Sequence, residues 1–136
     1  MQQPDFRVRV TAEASVAPSE DPSKVKAAVS NVLGECQVSI SEDPRKIVMT
    51  SSESASLVKL HDQLRDRHVR AAARRLLITR REGDRVTVMF NRQAAHAGVL
   101  VLCGSEGESP LGPIYLSVDS ESLDEVIEWL TSYESG

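Results

Sequence analysis

Three stretches of the chain alternate apolar and polar residues, and each has a single apolar face. Residues 6–16 set Phe6, Val8, Val10, Ala12 and Ala14 against Arg7, Arg9, Thr11 and Glu13. Residues 85–90 set Val86, Val88 and Phe90 against Arg85, Thr87 and Met89, and residues 114–118 turn Ile114, Leu116 and Val118 one way. A period of two is the mark of a strand, and one apolar face per strand asks for cover on one side only. Other segments carry the helical period. Val25, Ala28, Val29, Val32 and Leu33 form a stripe, as do Leu57, Leu60 and Leu64, then Val69, Ala72, Ala73 and Leu76, and finally Leu123, Val126, Ile127 and Leu130. Strands with one buried face and helices with one buried stripe complement each other as two layers.

Local signals place the boundaries. Asp21 caps the first helix, Pro22 takes its first position, where a missing N–H costs nothing, and Gly34 ends it. Residues 36–40 and 46–52 read as a hairpin, and residues 99–102 as a short strand. Ser54 and Ser120 read as caps of the later helices. Between Leu64 and Val69 the apolar stripe jumps by about 100°, which predicts a break near 66–68 and two helices, 54–66 and 68–80. The expected order is β-α-β-β-α-α-β-β-β-α. The fold class is α+β, two-layer, with a mainly antiparallel sheet and helices on one face. At 136 residues the chain fits one domain, 1–136.

Apolar residues make up 40% of the chain and charged residues 26%, which excludes a disordered protein. No apolar run reaches the roughly 20 residues needed to span a bilayer, and no basic stretch followed by an apolar one opens the chain. No membrane association and a cytoplasmic location are therefore expected, with Cys36 and Cys103 as buried thiols.

The net charge of −4 conceals an asymmetry. Residues 65–81 hold seven arginines and one acid, Asp66, for a local charge of +6, while the remainder carries −10. On a continuous helix Arg67, Arg70, Arg74 and Arg81 fall within about 60° of one another, opposite the apolar stripe. Guanidiniums in a row suit phosphates, each able to offer a bidentate fork. The alternatives are a solvated face, or arginines paired with the acidic rest of the protein or with a second subunit.

Two turns flank residues 99–102. The first, 91–98, offers Asn91, Arg92, Gln93 and His96 around small alanines and ends on Gly98. The second, 108–113, contains Glu108, Ser109, Pro110, Leu111, Gly112 and Pro113. Polar groups that read bases and phosphates among alanines permit close approach of nucleic acid. The same residues also suit a purely structural role, with Asn91 as a cap, Gly98 at positive φ and Leu111 as a plug or dimer contact. No catalytic constellation emerges. Cys103, His96 and Glu108 are near in sequence without a motif that fixes their geometry. His61 and His68 lack companions at metal-ligand spacing, and no cofactor is expected.

These two turns also carry a family resemblance. Residues 91–98, Asn-Arg-Gln-Ala-Ala-His-Ala-Gly, and residues 108–114, Glu-Ser-Pro-Leu-Gly-Pro-Ile, resemble the paired signature of an archaeal group, uncharacterised protein family 0201. The second motif agrees at every position, while the first has Arg92 for the family's Lys and His96 for its aromatic residue. Likeness extends to residues 20–26, Glu-Asp-Pro-Ser-Lys-Val-Lys, and to Trp129-Leu130 in the closing helix. In the middle helix Arg65 and Arg74 match the family's pattern, whereas its Gln, Asp and Thr are replaced by Arg67, Ala71 and Ala72. The resemblance implies a fold similar to the ribosomal protein that holds 5S ribosomal RNA, and an RNA-binding or exosome-associated role without an established activity. Two functions are thereby expected in competition. One is an RNA-binding accessory protein, its partner RNA or a ribonucleoprotein complex. The other is a non-enzymatic interaction module acting as a homodimer.

Overall fold

A computed structural model describes residues 7–34, 36–43, 45–66 and 68–132. Strand β1 (Arg9–Ser15) follows its alternation, with Val10, Ala12 and Ala14 buried and Arg9 and Ser15 exposed. It pairs antiparallel with β3 (Lys46–Ser51) on one side and β7 (Ile114–Asp119) on the other. Outside β3 lies β2 (Ser39–Asp43), and outside β7 lies β5 (Arg85–Phe90). The outer edge of β5 carries two short strands end to end. Strand β4 (Arg81–Glu82) pairs with Val86 and Arg85, and β6 (Leu102–Cys103) pairs with Phe90 and Met89. The sheet has seven strands, ordered β2-β3-β1-β7-β5-β4 with β6 beside β5, and every pairing is antiparallel.

Helix α1 (Pro22–Leu33) starts where the capping signals put it, with the Asp21 carboxylate accepting the Ser23 N–H at 2.9 Å. Gly34 leaves the helix at φ +68°, a conformation that glycine adopts without strain. Helix α2 (Val58–Asp66) is preceded by a single 3₁₀ turn, Ser54–Leu57, and α3 (Arg70–Arg80) follows after the predicted break. His68 makes that break at φ +57°. Helix α4 (Arg92–His96) and α5 (Leu123–Leu130) complete the layer. Leu33, Leu57, Leu64, Leu123 and Leu130 from the helices meet Val10, Ile47, Phe90 and Leu116 from the sheet in one core. The sheet's other face presents Thr11, Thr50, Thr87 and Ser117, all half-buried.

Several expected boundaries move. The second strand begins at Ser39 rather than Cys36, because Cys36 and Val38 pack against the core before pairing starts. Of residues 99–102 only Leu102 reaches the ladder, since the Leu100 N–H is taken by the side-chain oxygen Oε1 of Gln63 at 2.7 Å and the Leu100 side chain is buried. Glu53, not Ser54, flanks the second helical segment, and its carbonyl receives the Ser56 hydroxyl at 2.7 Å. Ser122 is the flanking residue of α5, while Ser120 accepts the Ser122 N–H and donates to the Arg7 carbonyl. Restarting α3 at Arg70 rotates its stripe, so that Ala73 and Leu77 are buried and Ala72 is exposed. Phe6 and Arg67 lie outside the described residues. Both cysteines are free thiols, Cys103 buried and Cys36 half-buried.

Candidate nucleic-acid interface

Of the predicted arginine row, Arg70 and Arg74 lie on α3 and face the last helix. Ala73 and Leu77 bury one side of α3, which turns Arg70 and Arg74 toward α5. Arg70 Nη1 donates to the Ser132 carbonyl at 2.6 Å. Arg74 Nη1 donates to Glu128 Oε2 at 2.8 Å and lies 3.4 Å from Thr131 Oγ1. Arg81 belongs to β4 rather than to the helix, yet its guanidinium reaches the same neighbour, pairing with Asp124 through Nη1 and donating to the Gly83 carbonyl through Nε. These are surface pairs. The Arg74 and Glu128 side chains are 43% and 66% exposed, and those of Arg81 and Asp124 are 28% and 86% exposed. Arg75 is exposed on the same helix, and Arg80 at its end donates to the Gly104 carbonyl at 2.6 Å. The predicted place of Arg67 in this row lies outside the described residues.

The two signature turns come together as one unit. Asn91 Oδ1 caps α4 by accepting the Ala94 N–H at 2.9 Å, while its Nδ2 donates to the Glu108 carbonyl at 3.1 Å. The Arg92 N–H donates to Ser109 Oγ, and that hydroxyl donates to the Gly112 carbonyl. Arg92 itself is buried. Its Nη1 lies 2.8 Å from both oxygens of Glu20, with only 4% and 10% of the two side chains exposed. Glu20 also accepts the Ala17 N–H at 2.8 Å. Burial alone raises the Glu20 pKa, but the Ala17 N–H and the Arg92 guanidinium outweigh it and hold the carboxyl below its ordinary value. Arg92 Nε and Nη2 are buried without a protein partner. Gly112 sits at φ +91°, where a Cβ would lie 3.6 Å from Arg92 Nη2. From the other side Gln63 Nε2 donates to the Gly98 carbonyl at 2.8 Å, and Asn31 Nδ2 donates to the Ala95 carbonyl at 2.9 Å. The Glu108 carboxylate accepts the Ser105 N–H and caps its own 3₁₀ turn.

Gln93 and His96 stay exposed, as do Pro110 and Leu111, while Pro113 is buried. Gln93, His96 and Leu111 border a cleft of about 560 Å³ beside Lys24 of α1. The predicted site residues therefore separate into two groups held by different neighbours. Arg70, Arg74 and Arg81 are held against α5. Asn91, Arg92, Gly98, Glu108, Ser109 and Gly112 are held by one another, by α1 and the turn before it, and by Gln63 of α2. Sequence reasoning missed Glu20, Gln63, Asp124 and Glu128, each of which engages a named site residue or turn from a distant part of the chain. The excess of acid outside residues 65–81 was the only trace of the α5 partners. Cys103 is buried, and both burial and the nearby Glu108 charge push its thiol up, away from the thiolate form a nucleophile needs. Among the described residues no group of three or more His, Cys, Asp or Glu side chains is placed to hold a metal ion. No helix among them is long and apolar enough to cross a membrane.

This geometry can be set against known proteins. A family model described as RNA binding matches residues 9–119. A UPF0201 protein of Metallosphaera sedula is 39% identical over 123 residues, covering 90% of this chain and 86% of the relative. The chain belongs to the UPF0201 family. A second member, from Aeropyrum pernix, is 39% identical over 127 residues, with 91% and 85% covered. The UPF0201 protein of Methanococcus jannaschii superimposes with a TM-score of 0.75 at 21% identity, covering 94% of this chain and 96% of that one. A DUF54 protein from Archaeglobus fulgidus gives a TM-score of 0.70 at 18% identity over 96% of this chain and all of its own length. At those identities the two solved structures establish the shared fold alone.

Proposed function

We propose that this UPF0201 chain is an RNA-binding accessory protein that holds backbone phosphates with the arginines of α3 and β4, chiefly Arg74, Arg75 and Arg81. One observation carries the reading. The guanidiniums of Arg74 and Arg81 both pair with exposed carboxylates of α5. An exposed ion pair contributes about 0–1 kcal/mol, so a phosphate can replace the carboxylate at little cost. Arginine also keeps spare donors, since a guanidinium has five N–H groups and one carboxylate engages only some of them. The family model's description supports RNA as the polyanion. Arg92 is assigned to the fold instead, because its charge is directed inward at Glu20.

A salt titration of RNA affinity tests this. With several phosphates held, log Kd rises linearly with log salt, at roughly 0.7 per phosphate on a single strand and 0.9 on a duplex. A flat salt dependence would remove phosphate contact from the account. A protein free of nucleic acid that forms a stable dimer and binds no RNA favours the interaction-module reading.

A further inference from the structure

The register of the sheet aligns side chains on its uncovered face in a way no single strand reveals. Ser39 pairs with Thr50, Thr50 with Thr11, Thr11 with Ser117, and Ser117 with Thr87. Five hydroxyl residues therefore cross five strands in one row. At the usual strand spacing the row is about 19 Å long. Thr87 Oγ1 and Ser117 Oγ are 3.0 Å apart and hydrogen-bonded, and Thr50, Thr11, Ser117 and Thr87 are all half-buried. The rows on either side differ in chemistry. Toward the start of β1, Arg9 and Arg85 flank Asp119, with Arg85 Nε 2.7 Å from the Asp119 carboxylate. Toward its end, Val48, Glu13, Tyr115 and Met89 lie side by side. The Tyr115 hydroxyl donates to Glu106 Oε1 at 2.7 Å.

These rows (two arginines about Asp119, then hydroxyls, then Val48, Tyr115 and Met89 about the single acid Glu13) offer the kinds of group that meet a single nucleic-acid strand. Phosphates and 2′-hydroxyls accept from and donate to Thr and Ser, arginines neutralise the phosphates, and unstacked bases lie on apolar and aromatic surface. The deep major groove of an RNA duplex does not admit side chains. A cleft of about 540 Å³ ends the face, bordered by Arg80, Arg85, Met89 and Tyr115 and by the acids Glu82 and Glu106. It lies beside β5 between the two short edge strands, where Arg80 crosses to Gly104. Arg80 closes α3, so the cleft joins the arginine helix to the uncovered face.

We infer that the uncovered sheet face binds single-stranded RNA, its backbone along the Ser39–Thr50–Thr11–Ser117–Thr87 row and a base on Tyr115. This rests on the RNA reading and adds a surface and a strand preference to it.

The test is fluorescence anisotropy with a labelled oligouridylate of about 12 nucleotides and with a duplex of the same length. Wild type is expected to favour the single strand. Tyr115→Ala is expected to weaken binding roughly tenfold, as for loss of one stacked base, while Tyr115→Phe retains the affinity. Thr50→Val with Thr87→Val is expected to weaken it by about fivefold, the low end of what two neutral hydrogen bonds contribute. Thermal melts check that each variant is folded. Unchanged affinity in the folded Tyr115 and threonine variants, with loss in Arg74→Gln/Arg81→Gln, overturns this surface and leaves the arginine reading standing. No binding of either RNA by wild type overturns both. A wild-type dimer that the threonine variants dissociate makes the face an interface between copies and overturns the inference.

Discussion

Arg92 and Arg74 are the same residue type with opposite surroundings. Arg92 is 4% exposed against a Glu20 that is 10% exposed, and Arg74 is 43% exposed against a Glu128 that is 66% exposed. Both guanidiniums lie 2.8 Å from a carboxylate. The distance does not separate them; access to water does. In the buried pair each charge has lost its hydration and depends on the other, so removing one partner strands a charge. In the exposed pair water and salt stand in for either partner. A buried arginine thus fixes the fold, whereas an exposed one is available to exchange its carboxylate for a phosphate.

The largest expected effect breaks the buried member. Arg92→Met leaves Glu20 without its counter-charge and is expected to destabilise the fold by about 3–5 kcal/mol, read as a fall in melting temperature of roughly 10 °C or more. Adding Glu20→Leu to it should restore part of that loss, because a buried pair replaced by apolar groups is often neutral. A double variant no better than Arg92→Met alone would show that the pair is not the unit that matters.

Acid sharpens the comparison next. Glu20 is held below its ordinary pKa in the fold, so its contribution to stability is complete above the unfolded value near 4.5 and is lost as pH falls through the folded one. Denaturant melts from about pH 6 to pH 3 should show wild type losing stability below the ordinary carboxylate range, with Glu20→Gln losing less over the same window. Equal slopes in the two proteins would contradict the assignment.

The exposed row is expected to move stability least. Arg74→Gln with Arg81→Gln should change unfolding free energy by less than about 1 kcal/mol. Removing the competing carboxylates instead, by Asp124→Asn with Glu128→Gln, should tighten RNA binding by about threefold, the scale of one surface pair. Weaker binding in that variant would mean that the carboxylates position the arginines rather than compete for them.

Much of the fold is legible in the sequence because local chemistry sets it. The alternation through Val10, Ala12 and Ala14, the Asp21-Pro22 start and the break that His68 makes are each decided by neighbours a few residues away. What was hidden depends on partners far along the chain. Arg92 looked like a surface cation because Glu20 is 72 positions distant. Arg81 was assigned to a helix face because nothing local announces a two-residue strand, whose existence depends on Val86 and Arg85 beside it. The hydroxyl row is invisible in one dimension, since its five members come from five strands and only register aligns them.

The central claim is that the exposed arginines, and not the buried one, meet RNA. The direct measurement is the affinity of a labelled RNA for wild type and for Arg74→Gln/Arg81→Gln at about 50 and about 200 mM salt, the range over which several phosphate contacts cost orders of magnitude. The account predicts a folded variant with affinity lowered about tenfold at the lower salt and a shallower salt slope. A folded variant that binds with wild-type affinity and an unchanged slope would contradict it.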